Sequence, residues 1–327
     1  MSRAWKVREY GEPHSVLRLE QTPHPIPGPG QVRVRVAAAS CNFADVLLCR
    51  GEYQQKPSPP FTPGLEVCGR VDELGAGVDT QLLTKRIVGQ ALLPHGGFAD
   101  YTLMNAADIH PVPHGIDDAT AATLHLTYLT AWLGLHRRAE MTAGDVVVVT
   151  AGAGGVGSAA VQIARAGGAT VIAIVSDPDK AATATALGAD VVIDRSHVDV
   201  VEAVKAAAPN GVDIVFDSVG GRAYDQATKY IGFEGRIIVV GFASGTIPKP
   251  RLNHAFVKNY TIAGLHWSLY TERCPELVRT AQRDIFDMAA NRLIDPLITS
   301  RVDIGDLPRA LRELASGTTR GKTVVTV

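Results

Sequence analysis

Cysteine is scarce in this chain and badly spaced for cross-linking. The four present, Cys41, Cys49, Cys68 and Cys274, include no C-x-x-C pair, so neither a disulfide framework nor a structural zinc site is expected, and their expected role is that of small buried hydrophobes. No apolar run approaches the roughly 20 residues needed to span a bilayer. Met1-Ser2-Arg3-Ala4-Trp5 lacks the apolar core of a secretion signal, which makes a cytoplasmic location the expectation. An excess of one charge is missing too, with 32 Lys and Arg against 33 Asp and Glu and a net charge of -1. Without a basic patch interleaved with aromatics, neither nucleic acid nor an anionic membrane is an expected partner.

What is present is an ordinary globular composition, 46% hydrophobic and 20% charged, over 327 residues. That length exceeds what one hydrophobic core usually organises, so two domains are expected. The stretch from Asp145 to Lys180 carries the strongest signal. Asp145 to Thr150 reads as a continuous β-branched run of the kind found in parallel strands buried on both faces. The turn Ala151-Gly152-Ala153-Gly154-Gly155-Val156-Gly157 follows, then a run of small helix formers to Ala166 and a second strand, Thr170 to Val175. In G-x-G-x-x-G the first glycine permits the turn, the second admits a pyrophosphate to the backbone, and the third lets helix and strand pack closely. Gly152, Gly154, Gly155, Val156 and Gly157 are therefore candidate dinucleotide-binding residues.

Upstream, residues 1 to about 122 read as a β-rich region of short strands. Gln31 to Val36 alternates with period two after a lead-in containing Pro23, Pro25, Pro27 and Pro29, and Val67 to Val71, Lys85 to Val88 and Phe98 to Leu103 supply further strands. A small barrel or sandwich is expected there. Asp117 and Asp118 can cap a short helix, and a second helix is expected from Leu126 to about Arg138. Downstream the alternation of strand and helix continues through strands at Asp190–Ile193, Val212–Phe216, Gly235–Gly241 and Tyr260–Leu265, which predicts a doubly wound parallel sheet. Two helices and a last strand, Gly321 to Val327, close the chain, and that strand is expected to return to the N-terminal β region.

Asn42-Phe43-Ala44-Asp45, Pro63-Gly64-Leu65-Glu66-Val67-Cys68-Gly69, the Ala151 to Gly157 turn and Val240-Gly241-Phe242-Ala243-Ser244-Gly245 together resemble the medium-chain dehydrogenase/reductase superfamily. The closest likeness is to its zinc-free NADPH:quinone oxidoreductases, the zeta-crystallin-like group. The resemblance implies an α/β fold: a GroES-like β-rich catalytic domain (1–123), a Rossmann domain (124–266) and a C-terminal return to the catalytic domain (267–327), with the cofactor in the cleft. Zinc-dependent relatives carry metal ligands where this chain has Asn42, Leu65 and Thr123, so no metal is expected. The same resemblance points to Asn42, Tyr53 and Thr127 as catalytic-site residues and to Gly241, Phe242 and Ala243 beside the nicotinamide. In some enoyl reductases of the superfamily a tyrosine proposed as proton donor stands at the place of Phe43. Glu66 is expected to bond backbone or an arginine.

An NAD enzyme usually places an acid at the end of its second strand, against the ribose 2′-hydroxyl. Here Ser176 holds that place, with Lys180 one turn into the next helix and Arg195 after the neighbouring strand, a set that suits a 2′-phosphate and hence NADPH. Asp177 argues the other way, but one residue late and placed to cap a helix. The expected activity is zinc-independent hydride transfer from NADPH to a quinone or other activated enone. An enoyl-thioester reductase and a non-catalytic NADPH-binding protein of crystallin or sensor type are the rival readings. A homodimer is expected, because strand six would otherwise leave an apolar sheet edge.

Overall fold

Two units share the chain: Met1–Leu126 together with Ile298–Val327, and Thr127–Leu297. A computed structural model describes every residue from Met1 to Val327.

The first unit opens with an antiparallel hairpin of β1 (Ser2–Val7) and β2 (Leu17–Thr22), with α1 (Pro13–Val16) in the connection. In β3 (Gln31–Ser40) the period of two is realised: Val32, Val34 and Val36 are buried while Arg35 faces solvent. Next come α2 (Phe43–Arg50), β4 (Glu66–Leu74), β5 (Arg86–Gln90), β6 (Tyr101–Asn105) and β7 (His110–Pro111). The carboxylate of Asp117 accepts from Ala119 N and Thr120 N and so starts α3 (Asp118–Thr123).

From Val146 to Gly264 the second unit alternates strand and helix. α4 (Leu126–Trp132) continues as a π-helix over Leu133–Arg138, so the helix expected there forms with a wider last part. β8 (Val146–Thr150), α5 (Gly155–Ala166), β9 (Thr170–Val175), α6 (Pro178–Ala186), β10 (Val191–Asp194), α7 (Val200–Ala207) and β11 (Val212–Asp217) follow. After them come α8 (Arg222–Tyr230), β12 (Ile231–Val239), α9 (Leu252–Lys258), β13 (Thr261–Gly264), α10 (Ser268–Arg273) and α11 (Pro275–Ala290). The six strands are parallel and ordered β10-β9-β8-β11-β12-β13, so the winding direction reverses between β8 and β11. Ligands of such sheets collect outside the carboxyl ends of the strands at that reversal.

The chain then returns to the first unit through β14 (Ile298–Asp303), α12 (Leu307–Ala315) and β15 (Lys322–Thr326). β15 lies antiparallel to β3, with Val324 opposite Ser40, and completes a seven-stranded sheet that runs β14-β15-β3-β4-β5-β7 with β6 also on β3. The first unit is thus discontinuous in sequence. Two expected boundaries need correction. The junction falls after Leu126 rather than after 123, and residues 267–297 stay with the second unit instead of returning with the C-terminus. The physical reason is local: Asp295 N donates to Gln162 Oε1 of α5 at 2.6 Å, Gln162 Nε2 donates to the Tyr128 hydroxyl at 3.0 Å, and α11 buries Val278, Ala281, Ile285 and Phe286.

Of the cysteines, Cys41, Cys49 and Cys68 are buried, whereas Cys274 is exposed, contrary to the expectation for it. No helix is long and apolar enough to cross a membrane.

Candidate functional site

Ala151 leaves β8 with a φ of 50°, turning the chain sharply before α5 begins. Close packing then dictates the glycines. A Cβ on Gly157 would lie 2.0 Å from Ala151 O, and one on Gly152 would lie 2.8 Å from the Ala173 Cβ on β9, whereas one on Gly154 would stand 3.3 Å from Ala151 O. Gly157 and Gly152 are therefore required by packing, and Gly154 is the position whose bare backbone leaves room for something else. No side chain caps α5, so the N–H groups of its first turn at Gly155, Val156 and Gly157 keep their positive field for an incoming anion. This cradle fits the pyrophosphate of a dinucleotide.

Beyond the end of β9, Ser176 Oγ accepts from Lys180 Nζ at 3.0 Å and donates to Asp177 Oδ2 at 3.0 Å. Asp177 Oδ1 in turn accepts from Lys180 N at 2.8 Å, which makes Asp177 the N-cap of α6, and its other oxygen lies 3.4 Å from the Lys180 ammonium. The Lys180 backbone N–H, with the Ser176 hydroxyl and the Lys180 charge, holds the Asp177 carboxyl below its ordinary range. In the ladder Asp194 stands opposite Val175, and Arg195 N bonds Val175 O at 3.0 Å, so Arg195 emerges next to Ser176 with its side chain exposed. Sheet register thus sets the Arg195 backbone beside the end of β9, where Ser176 and Lys180 are bonded to each other.

The floor of the reversal between β8 and β11 holds a residue to which sequence reasoning assigned no role. Asp217, buried at the end of β11, accepts from the Thr150 hydroxyl at 3.0 Å, from Val219 N at 3.0 Å and from Gly220 N at 3.1 Å, while Thr150 Oγ1 accepts from Ser218 N at 3.1 Å. These bonds fix the two strand ends and the loop between them. Burial nevertheless pushes the Asp217 carboxyl above its ordinary value. The readable signal was an acid at a strand end followed by Gly220-Gly221. Against this loop lies the segment Gly241-Phe242-Ala243: Ala243 N bonds Ser218 O at 3.2 Å, and the Phe242 ring is partly exposed. All these groups sit at the carboxyl end of the sheet. Thr127, on α4 of the same unit, is buried.

In the first unit, Asn42 stands between β3 and α2 and is almost wholly buried. Its Nδ2 donates to Ser40 O at 3.0 Å and to Glu66 Oε2 at 3.1 Å, and its Oδ1 accepts from Lys322 Nζ at 2.6 Å. Glu66 Oε1 accepts from His125 N at 3.1 Å and Leu126 N at 2.7 Å, so it bonds backbone as expected, but its cation is a lysine from β15 rather than an arginine. Asp45 Oδ2 accepts from Asn42 N at 2.8 Å, and its Oδ1 accepts from Gly64 N and Leu65 N, pinning the Pro63-Gly64-Leu65 loop to the start of α2. Tyr53 packs half-buried against the same core; burial, then the Asp45 charge, raises its phenol above its ordinary value.

Residues 28–114 match the alcohol dehydrogenase GroES-like domain, and residues 155–283 match the zinc-binding dehydrogenase domain. A quinone oxidoreductase-like protein 2 homolog of Nematostella vectensis is 34% identical over 294 residues, 88% of this chain and 80% of that protein. Among solved structures, a mycobacterial protein in complex with NADPH is 30% identical with a TM-score of 0.93, over 100% of both chains. Escherichia coli quinone oxidoreductase in complex with NADPH is 26% identical with a TM-score of 0.93, over 99% of this chain and 100% of that one. The chain belongs to the medium-chain dehydrogenase/reductase superfamily, in its quinone oxidoreductase-like group.

Proposed function

We propose that this protein is an NADPH-dependent reductase that delivers a hydride to a quinone or other activated enone without the help of a metal. The observation that carries the reading is the Lys180 bond to Ser176 at the end of β9, with the Arg195 backbone bonded to Val175 on the neighbouring strand. A hydroxyl and two cations suit a 2′-phosphate; of the nearby acids, Asp177 is committed to capping α6 and Asp194 accepts from Ser196 N and Oγ. Bound NADPH supplies the hydride. The backbone of Gly152, Gly154, Gly155, Val156 and Gly157 holds the pyrophosphate; Gly241, Phe242 and Ala243 flank the nicotinamide; Tyr53 and Thr127 contact the acceptor.

The donor set does not fit zinc. The Asn42 carboxamide is bonded to Lys322, Glu66 and Ser40, Leu65 is sealed in the apolar core, and the Thr123 hydroxyl donates to Thr120 O at 2.8 Å. Without a Lewis acid to stabilise an alkoxide, the favoured acceptor is one that spreads the incoming charge itself. Quinone, NADPH and one proton give hydroquinone and NADP⁺. The intermediate phenolate-like oxygen, whose conjugate acid by analogy with tyrosine has a pKa of about 10, takes its proton from water. NADPH consumption with 1,4-benzoquinone, against controls without protein or without quinone, tests the reading. No protein-dependent consumption would reject it.

We also infer a homodimer. β13 is an edge strand with its outer side unpaired, and α9 beside it leaves Leu252, Phe256 and Val257 exposed. Light scattering at micromolar concentration should give twice the 34.7 kDa of one chain; the mass of a single chain would refute it.

A further inference from the structure

Asp217 and Thr150 end β11 and β8, and both are buried, only 1% and 2% exposed. Burying a carboxyl group is costly unless donors meet it. Here three converge on one oxygen: Asp217 Oδ1 accepts from the Thr150 hydroxyl at 3.0 Å, from Val219 N at 3.0 Å and from Gly220 N at 3.1 Å. A cap on the loop alone would need only the two backbone donors. The bond to Thr150 adds a tie to the strand that turns into the glycine cradle at the very next residue, Ala151.

The loop after β11 passes that tie on. Ser218 gives its N–H to Thr150 Oγ1 at 3.1 Å, and its carbonyl accepts from Ala243 N at 3.2 Å. Val219 gives its N–H to Asp217, and its carbonyl accepts from Ser244 N at 3.0 Å. Each of the two residues thus faces the strand ends with its donor and the segment after β12 with its acceptor. Packing follows the same line. Gly220 has a φ of 70°, and a Cβ there would lie 3.0 Å from Phe242 Cδ1 and 3.0 Å from Thr246 O; one on Gly221, at a φ of 51°, would lie 2.9 Å from Ser244 Oγ. Two bare left-handed residues therefore let the loop lie directly against residues 242–246. The connection from the cradle to that segment is continuous, and every residue in it belongs to the second unit.

We propose that Asp217 and Thr150 are positioning residues that couple the glycine cradle to the segment Gly241–Ser244, so that the seat of the pyrophosphate and the seat of the nicotinamide are held as one frame. The second half rests on the reading of Gly241, Phe242 and Ala243 as the flank of the nicotinamide. Thr150 is the place to cut, because its hydroxyl both donates to Asp217 and accepts from Ser218 N. Without it the loop keeps its own turn on Asp217 and loses its side-chain tie to β8. A segment left loose must be ordered when the cofactor arrives, and the cost falls on affinity.

The test uses the full chain and two ligands, NADPH and adenosine 2′-phosphate 5′-diphosphate, which carries the pyrophosphate but neither the nicotinamide nor its ribose. In Thr150→Val, which removes the hydroxyl at nearly constant volume, calorimetry should show NADPH bound at least about tenfold more weakly and the truncated ligand within about threefold of wild type. Thr150→Ser keeps the hydroxyl and should lose less NADPH affinity than Thr150→Val. Unchanged NADPH affinity in folded Thr150→Val overturns the proposal. Wild type supplies an arm that no folding defect can spoil: the truncated ligand should slow amide hydrogen exchange at Ala243 and Ser244 by about threefold or more, although it lacks the half of the cofactor that the segment would flank. Exchange there that stays as in the free protein overturns the coupling. Slowed exchange with both ligands weakened alike in Thr150→Val upholds the coupling and removes only the placement of the nicotinamide beside Gly241–Ala243. A wild type that binds NADPH but leaves benzoquinone untouched removes the acceptor assignment alone, because no arm of the test depends on turnover.

Discussion

The Lys180 ammonium lies 3.0 Å from the Ser176 hydroxyl oxygen, so the cation of the first turn of α6 is drawn back to the first residue beyond β9. Its site is fixed by two local choices, a serine where an NAD enzyme sets an acid and an aspartate that caps the helix. Calorimetry should therefore show NADPH bound at least about tenfold tighter than NADH, since a charge-assisted bond contributes about 1.5–3 kcal/mol and tenfold corresponds to about 1.4. Lys180→Ala combined with Arg195→Ala should erase the preference. Equal affinities in wild type, or a preference that survives both substitutions, count against the assignment.

Gly154 and Gly157 should fail differently when given a side chain. A Cβ at Gly157 meets Ala151 O at 2.0 Å, so Gly157→Ala must push α5 from β8, and its melting temperature should fall by several degrees. At Gly154 the nearest atom is 3.3 Å away, so Gly154→Ala should melt near wild type yet bind NADPH about tenfold or more weakly, because the methyl stands where the pyrophosphate approaches. Gly154→Ala with unchanged NADPH affinity would place the phosphates elsewhere.

The parallel sheet is legible in the sequence because strands covered on both faces read as unbroken apolar runs, and β9 has the bounds its sequence suggests. Elements with one thin buried stripe escape that signal. β2 buries only Leu17 and so shows no clear period, while α8 buries Tyr224, Ala227 and Tyr230 at helical spacing but over only nine residues, a short stripe among charged neighbours. At the site, the glycine cradle and Ser176 are local in sequence and readable. The Lys322 network is not, since its partners Asn42 and Glu66 lie 280 and 256 residues away and only the pairing of β15 with β3 brings them together.

Burial pushes the Asp45 carboxyl up to about 7, against the pull of three backbone N–H donors and of Lys322. A folded-state pKa above the unfolded one means that folding favours the protonated acid. Its contribution to stability is fully present below about pH 4 and is lost as the pH rises through 7. Asp45→Asn cannot titrate. The margin by which wild type outmelts Asp45→Asn should shrink by about 2 °C or more from pH 5 to pH 8, the effect of roughly 1 kcal/mol. A margin that stays flat across that interval contradicts an uncharged Asp45 at acid pH.

Tyr53 is a poor candidate for a proton donor, because burial and the Asp45 charge make its phenol a weaker acid than usual. Phe43, at the start of α2, cannot donate at all. Protonating carbon in an enoyl thioester gains about 10²–10⁴-fold from a positioned acid, whereas a hydroquinone oxygen needs none. The kcat/KM for 1,4-benzoquinone should therefore exceed that for a crotonyl thioester by about 10²-fold or more, and Tyr53→Phe should raise KM while leaving kcat within about threefold. Crotonyl thioesters that match quinones, or a Tyr53→Phe variant that binds NADPH normally with no measurable kcat, would defeat this assignment.

The most direct measurement of the central claim is product stoichiometry on protein dialysed exhaustively against EDTA, with metal content determined on the same sample. The account predicts one hydroquinone formed per NADPH oxidised, at an undiminished rate and with zinc far below one per chain. Turnover that vanishes on dialysis and returns with one zinc per chain, or NADPH binding without hydroquinone production, would contradict it.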